Sequence, residues 1–415
     1  MHDDTIEIAQ PATDTDSLRA WIRPVSAAFA DDYTDAMFDV DMQLWEKDRL
    51  IGGKDGDRWV GGASAGSMRL TIPGGTVRAA GISDVGVAPT HRRRGILTGM
   101  MRWLLDQAAD RGEPVSILHA SEGAIYPRFG FGLATLQGTF EADVSAFAFR
   151  EPAEPYGRVR IVEGDEAMRL VPPLFEAVVG SRVGEVSRPP DKWRLQLLAD
   201  DPWRRNIGIK FTAVLEVAGE PRGYVIYRVK SDWGDRGPKN VLTVMEVTGL
   251  DPAADRALWE WLASVDLVRT VAAWRQPVPP PLFLQLRDPR RLGLMVGDGL
   301  WVRLVDLPAA LAARSYAGPG ELTFEVTDAF MPANAGLWTM SVPGDRGEAS
   351  VTRAAAGVDP DLRLDTTDLA AAYLGAFTFT DLVRAGRLGE CRAGAVAAAD
   401  RLFATTGVVW SSTMF

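Results

Sequence analysis

The sequence predicts a mixed α/β, α+β chain in three parts, the first two built on one β–β–α–β plan and the third smaller. Three observations lead there. The chain has 415 residues; at roughly 100–200 residues per domain, that length holds two to four domains, with three the central expectation. Hydrophobic residues make up 47% and charged residues 24%, enough apolar material for several cores, which excludes disorder as the main character. Two passages, 59–119 and 223–274, repeat one order of strand, turn or loop, strand, helix and strand.

In the first passage, Trp59–Leu70 reads as a strand, Pro73-Gly74-Gly75 as a turn, and Thr76–Val87 as a second strand. Pro89 and the basic run His91-Arg92-Arg93-Arg94-Gly95 follow. A helix then begins, because Ile96, Leu97, Met100, Met101, Leu104, Leu105 and Ala108 recur at helical spacing; Gly112 stops it. Val115–His119 is the next strand. In the second passage, Gly223–Val229 and Leu242–Leu250 are strands joined by the polar loop Ser231–Lys239. Asp251-Pro252 opens a helix through Leu258, Trp259, Trp261, Leu262 and Val265, and Val268–Trp274 follows as a strand. The Arg-rich turn is missing from this copy.

Gln276–Pro281 is too rich in proline for regular structure. Asp306-Leu307-Pro308 opens the helix Ala309–Ala313. Leu322–Val326, Gly336–Val342 and Gly347–Arg353 alternate as strands, Thr366–Leu374 and Val396–Thr405 read as helices, and Val408–Trp410 reads as a last strand. Boundaries fall near Phe149–Tyr156 and Trp301–Asp306, giving parts 1–150, 151–303 and 304–415.

Composition narrows the function. Lys+Arg is 45 against Asp+Glu 55, a net charge of −10. A protein living on phosphate contacts is normally basic, so a nucleic-acid partner is not expected; an acidic surface suits cationic partners. Cys391 is the single cysteine and cannot form an internal disulfide. His2, His91 and His119 are the only histidines, so a multi-His metal site is excluded and no metal is expected. The acidic, polar start MHDDTIEIAQ does not read as a signal peptide, and no run of about 18 apolar residues could span a membrane. A cytoplasmic protein with no membrane association is expected.

The turn from Val87 to Thr98 is the most informative feature. A helix N-terminus leaves backbone N–H groups without partners and favours an anion. Gly95 lets backbone approach closely, and Arg92, Arg93 and Arg94 add charge and paired donors, which suits a phosphate. A solvated basic turn is the other reading of these residues. A Walker loop is excluded, because no Gly-Lys-Ser/Thr follows.

Asp84-Val85-Gly86-Val87 with Arg92-Arg93-Arg94-Gly95-Ile96-Leu97-Thr98 resembles the acetyl-CoA motif of the GNAT acetyltransferases, Arg/Gln-x-x-Gly-x-Gly/Ala. Arg92 and Gly95 match; Leu97 departs from the small residue of the general pattern. That departure is usual in the Eis-like (enhanced intracellular survival) branch. Ile125-Tyr126-Pro127-Arg128-Phe129-Gly130-Phe131 resembles the later GNAT stretch. The resemblance implies two tandem GNAT domains, the second degenerate, then a sterol-carrier-protein-like domain whose C-terminus returns to the active site. It implies an acetyl-CoA-dependent N-acetyltransferase, acting on amines of polycationic compounds such as aminoglycosides or on lysines. It also implies a homohexamer, a trimer of dimers.

By resemblance, backbone groups of Val85, Gly86 and Val87 hold the pantetheine arm and thioester, with Gly86 allowing close approach. Arg92–Thr98, including Ile96 and Leu97, hold the pyrophosphate. Ser121 and Glu122 border the cofactor, or else form an ordinary polar loop after a strand. Tyr126 is the candidate general acid, since a phenol titrating near ~10 can protonate a thiolate titrating near ~8.5; otherwise it is a core aromatic. His119 is expected to be structural. The last residues, Val408–Phe415, carry no charged side chain. An apolar end favours burial, and burying Phe415 would raise the pKa of its α-carboxylate. The resemblance makes that carboxylate the base; a terminal strand packed for stability is the alternative. Asp31, Asp32, Asp35 and Asp84 are candidates for an acidic acceptor wall, and Met414 stands where some aminoglycoside-acetylating members carry an acid. The rival function is a non-catalytic acyl-CoA sensor or lipid-binding module.

Overall fold

The computed structural model describes all residues except 1–5, 153, 201, 204–206, 236 and 345–348. These residues form two compact units. The first gathers the described part of 1–135 with 298–409 and 414–415; the second comprises 136–297 and 410–413.

The first unit contains a seven-stranded sheet in the order β1-β2-β3-β4-β5-β7-β6. The strands are β1 (Ile6–Ala9), β2 (Leu50–Asp55), β3 (Arg58–Ile72), β4 (Gly75–Val87), β5 (Val115–His119), β6 (Gly132–Leu133) and β7 (Leu300–Leu304). β3 and β4 form the expected hairpin. β4 and β5 are parallel, but pair only over Ala79–Gly81 and Val115–Ile117. Beyond that rung they part, and the outer side of β5 is covered by β7 from Leu300↔His119 to Leu304↔Val115.

Helices flank this sheet. α1 (Thr15–Phe29) starts at Asp14, whose carboxylate accepts the Ser17 N–H at 3.0 Å; α2 (Asp35–Leu44) follows it. α1 buries Leu18, Trp21, Ile22 and Val25 against one face. α3 (Ile96–Asp110) buries Ile96, Met100, Met101, Leu104, Leu105 and Ala108 in the core formed with Ile51, Val60, Ala80 and Ile82. Gly112, at φ +64°, ends it as expected. Arg49–Glu113 and Arg303–Asp328 are buried ion pairs inside this unit. Arg49 meets Glu113 through two parallel bonds of 2.8 and 2.7 Å. It also reaches Gln107 and Ser67, tying the start of β2 to the turn that feeds β5.

The rest of the first unit is a five-stranded sheet in the order 350–353, 336–342, 320–327, 362–365, 388–390. Helices Leu307–Ala313, Thr366–Ala372 and Ala395–Phe403 match three expected helices. The strand expected from Gly347 is observed from Ser350; Gly347 and Glu348 lie outside the described residues.

The second unit repeats the plan of the first sheet. Its strands run in the order 295–298, 136–143, 268–276, 240–249, 220–230, 209–217, 158–162. The strands 240–249 and 268–276 are parallel and pair only as far as Val244↔Ala273. The helix Pro252–Ala263 is capped by Asp251, which accepts the Ala254 N–H at 2.8 Å.

Three findings differ from the sequence reading. Leu136–Asp143, before the boundary expected near 150, pairs in the second unit's sheet. Leu300–Leu304, before the boundary expected near 303, pairs in the first unit's sheet. Val408–Trp410, expected as a strand, is no strand; side chains rather than a ladder satisfy the segment that follows.

Removing one partner of a buried ion pair strands the other charge, at a cost of about 3–5 kcal/mol. Glu113→Ala therefore lowers the stability of the first unit by roughly that amount, read as a shifted urea midpoint. A loss under ~1 kcal/mol, as for an exposed pair, would contradict the buried assignment.

Candidate active site

The parting of β4 and β5 creates the site's framework. A strand paired on both sides has no free N–H or C=O groups. Ile82, Ser83, Gly86 and Val87 of β4 pair with β3 on one side, Asp84 and Val85 bulge between them, and among the described residues no strand ladder covers the other side of this stretch. An unpaired strand edge is a ready hydrogen-bonding surface for an extended ligand. Val85, Gly86 and Val87 all lie in it. Within it Asp84 has φ +54°, a left-handed conformation unusual for a non-glycine residue, at the irregularity where register with β3 shifts. Its carboxylate accepts from Ser64 Oγ at 2.6 Å and from Trp45 Nε1 at 3.0 Å, which holds the strand at this point.

Gly86 serves a purpose the sequence did not suggest. A Cβ there would lie 2.9 Å from Val25 Cα and 3.2 Å from Ala28 Cβ of α1. Gly62, its cross-strand partner, faces the same helix. The close approach that this glycine visibly allows is that of α1 to the sheet.

The edge of β4 leads into the basic loop. His91 is buried, its Nε2 3.0 Å from Asp55 Oδ2 and its Nδ1 2.7 Å from Thr90 Oγ1. Asp55 also lies 3.5 Å from Arg94. The hydrogen bond from His91, aided by the nearby arginines, holds the Asp55 carboxyl below the usual carboxylate range. This tie, absent from the sequence reading, fixes the base of the loop; nothing in the local sequence marks Asp55 for it. Arg93 at φ +63° and Gly95 at φ +81° then bend the backbone into α3. No side chain caps the helix, so the N–H groups of Ile96, Leu97 and Thr98 are not satisfied by an N-cap. Arg92, Arg93, Arg94, Gly95 and Thr98 are exposed around them, Ile96 is buried and Leu97 half-buried. The arrangement has what an anionic phosphate group needs.

The loop after β5 brings the remaining candidates. Ser121 and Glu122 are exposed. Glu122 lies 3.8 Å from Arg92, both side chains about two-thirds exposed at 66% and 64%. Tyr126 opens the turn Tyr126–Phe129, closed by Gly130 at φ +85°. It is 6% exposed, with its ring edge-on to Phe131 at 6.0 Å. Burial, with a smaller contribution from Glu122, pushes its phenol up to about 12. Tyr126 therefore keeps its proton at neutral pH.

Phe415 is half-buried, less than the sequence reading required. Its ring lies 5.1 Å from that of His119, and a Cβ on Gly81 would come 3.2 Å from Phe415 Cε2. Gly81 is the last residue of β4 paired with β5, and His119 is the final residue of β5. The terminal ring thus sits where the two strands part. Met414 is exposed.

The four acidic candidates differ in their surroundings. Asp35 pairs with Arg19, Asp32 is exposed, and Asp31 is half-buried. Asp84 instead acts with Asp41, a residue absent from the sequence reading: Tyr33 donates to Asp41 at 2.7 Å, and burial, then Asp41 and to a smaller extent Asp84, raise the Tyr33 phenol. Among the described residues no group of three or more His, Cys, Asp and Glu could hold a metal ion, and no helix is long and apolar enough to cross a membrane.

The chain is similar to known proteins along its length. Residues 10–134 match the acetyltransferase (GNAT) domain family, residues 184–304 a second GNAT domain family, and residues 307–412 the sterol carrier protein domain family. An uncharacterized N-acetyltransferase of Streptomyces avermitilis is 41% identical over 374 residues, 89% of this chain and 90% of that protein. The N-acetyltransferase Eis of Mycobacterium tuberculosis is 34% identical over 345 residues, 81% of each chain. The crystal structure of Eis1 from Mycobacterium abscessus superimposes with a TM-score of 0.82 at 31% identity, covering 99% of this chain and 100% of that one. Two GNAT domains followed by a sterol-carrier-protein-like domain, with the strand edge and basic loop in the first, place this chain in the Eis-like family of GNAT N-acetyltransferases.

Proposed function

We propose that the enzyme transfers the acetyl group of acetyl-CoA directly to an amine, with no acyl-enzyme. The observation that carries this reading is the continuity of the site. An unpaired strand edge runs into an uncapped, Arg-flanked helix start, and Phe415 lies where that edge begins. Acetyl-CoA supplies an acetyl group activated as a thioester. The backbone of Val85, Gly86 and Val87 binds its pantetheine arm. Arg92, Arg93 and Arg94, with Gly95 and the N–H groups of Ile96, Leu97 and Thr98, bind the pyrophosphate. Ser121 and Glu122 border it.

Phe415 accepts the proton of the attacking amine through its α-carboxylate. Tyr126 faces the departing sulfur as a donor. Full transfer from a phenol near 12 to a thiolate near ~8.5 runs uphill. Tyr126 thus works mainly by hydrogen-bonding the sulfur as its charge grows.

The acceptor is an amine carrying further positive charge, an aminoglycoside-like polycation or a lysine side chain. The overall charge of −10 supports this, as do the Asp41 and Asp84 carboxylates around Tyr33. A homohexamer in the cytoplasm belongs to the same proposal on family grounds, and sedimentation tests the assembly.

Two predictions test the roles. Tyr126→Phe lowers kcat by about 10²-fold or more while leaving acetyl-CoA binding intact. Because the phenol stays protonated to about 12, the kcat profile of the native enzyme shows no falling limb from this residue between pH 8 and 10. An unchanged kcat in Tyr126→Phe removes it from the mechanism. Deleting Phe415 abolishes turnover yet leaves acetyl-CoA affinity, measured by calorimetry, within about two-fold of native; full activity without it would sink the terminal-base assignment.

A further inference from the structure

Trp410–Thr413 lie in the second unit and pair in no strand. All four are buried, between 2% and 8% exposed. A buried segment outside a sheet must find partners for its polar groups elsewhere. One carboxylate supplies most of them. Glu185, fully buried, accepts the backbone N–H groups of Ser412 at 3.0 Å and Thr413 at 3.2 Å. It also accepts the hydroxyls of Ser411 at 3.3 Å, Ser412 at 2.7 Å and Thr413 at 2.6 Å.

Arg188 completes the grip from the donor side. Its Nε donates to Thr413 Oγ1 at 2.8 Å and its Nη2 to Ser412 Oγ at 2.9 Å. Each of these two hydroxyls therefore donates to Glu185 and accepts from Arg188. The remaining arm of Arg188 donates to Glu246 at 2.8 Å, and Glu246 accepts the Tyr224 hydroxyl at 2.8 Å. Phe175 and Trp193 lie against the guanidinium, their ring centroids 3.9 and 4.8 Å from it. Trp410 fixes the other end, donating its N–H to Val183 and its indole N–H to Arg275, both at 2.8 Å.

Buried charges are a poor way to gain stability, since apolar packing of equal volume does as well. What this network supplies is register. A slip of one residue would bring Trp410 or Met414, which have no hydroxyl, to positions that require one. Met414 and Phe415 follow Thr413 directly, and two residues reach at most ~7 Å. Fixing Thr413 therefore limits where Phe415 can lie.

We propose that Glu185, Arg188 and Glu246 form a buried clamp on Ser411–Thr413 that positions Phe415 for acetyl transfer. They are positioning residues, and this role rests on the assignment of Phe415 as base. Misplacement of a reacting group by about 1 Å is worth up to ~10² in rate, so a loosened clamp has a readable effect.

The test uses the full chain and two readouts. The first needs no acceptor: release of Phe415 by carboxypeptidase A, followed by mass spectrometry. The second is kcat for thiol release from acetyl-CoA with spermine, kanamycin or a lysine peptide. Thr413→Val and Ser412→Ala remove one hydroxyl each, while Thr413→Ser keeps it. The expected result is release about ten-fold faster and kcat about ten-fold lower in Thr413→Val and Ser412→Ala. The KM for acetyl-CoA and the melting temperature stay near native, and Thr413→Ser behaves as native. Native release rates in both hydroxyl-free variants overturn the clamp. Faster release with native kcat overturns the positioning role. A chain lacking Phe415 that keeps its kcat overturns the base assignment and the role built on it. The release rates distinguish that outcome from a failed clamp.

Discussion

The site depends on one constraint: β4 and β5 run parallel and pair over only three residues each. Were the ladder to continue, Ile82–Val87 would spend their hydrogen bonds on β5 and no extended ligand could lie along them. The parting is held from several sides. β7 occupies the outer edge of β5, and Asp84 fixes the irregular strand through Ser64 and Trp45. α1 sits close on the sheet because Gly62 and Gly86 leave no side chain in its way. The Arg49–Glu113 pair anchors the turn feeding β5. A catalytic arrangement that must be open at one edge is built on a scaffold fixed everywhere else.

The legible parts of the chain were those with strong local pattern. The β3–β4 hairpin, the helical spacing from Ile96 to Ala108, and the Asp251-Pro252 helix start follow from periodicity and capping chemistry. The Arg92–Gly95 loop was legible because charge, glycine and a helix start coincide. The closing strands 132–133 and 300–304 were not: they are short, and the second comes from far along the chain. The tail misled for a physical reason. Val408–Trp410 reads as a strand, yet none forms there, and a buried carboxylate rather than a ladder satisfies the Ser-Ser-Thr run that follows. Glu185, Arg188 and Glu246 carry side chains that are usually exposed, and no local signal marks them as buried. The packing of Gly86 against α1 has no local sequence signal.

The two GNAT-type units show how one plan supports different duties. Both have parallel strands that pair briefly and a helix fed from the first of them. Only the first joins strand to helix through an Arg-rich, glycine-bent loop; the second uses the compact Asp251 cap. An N-cap carboxylate places a negative charge where an anion would bind, so the second unit's helix start is closed to phosphate. The second unit instead contributes buried polar chemistry around Glu185. The excess of acidic over basic residues, 55 against 45, is unfavourable for the cofactor's phosphates and favourable for a cationic acceptor. In the proposed reading, the arginines of the loop offset the first effect at the helix start.

The most direct test of the account is steady-state release of CoA thiol from acetyl-CoA, with and without amines. The acceptors are an aminoglycoside, a polyamine, a lysine peptide and an arylalkylamine. The account predicts negligible release without an amine, and saturable release with at least one cationic amine, accompanied by the mass of one acetyl group on that amine. Tight binding of acetyl-CoA with no amine-dependent release across the panel would contradict it, and would point instead to a protein that senses acyl-CoA without consuming it.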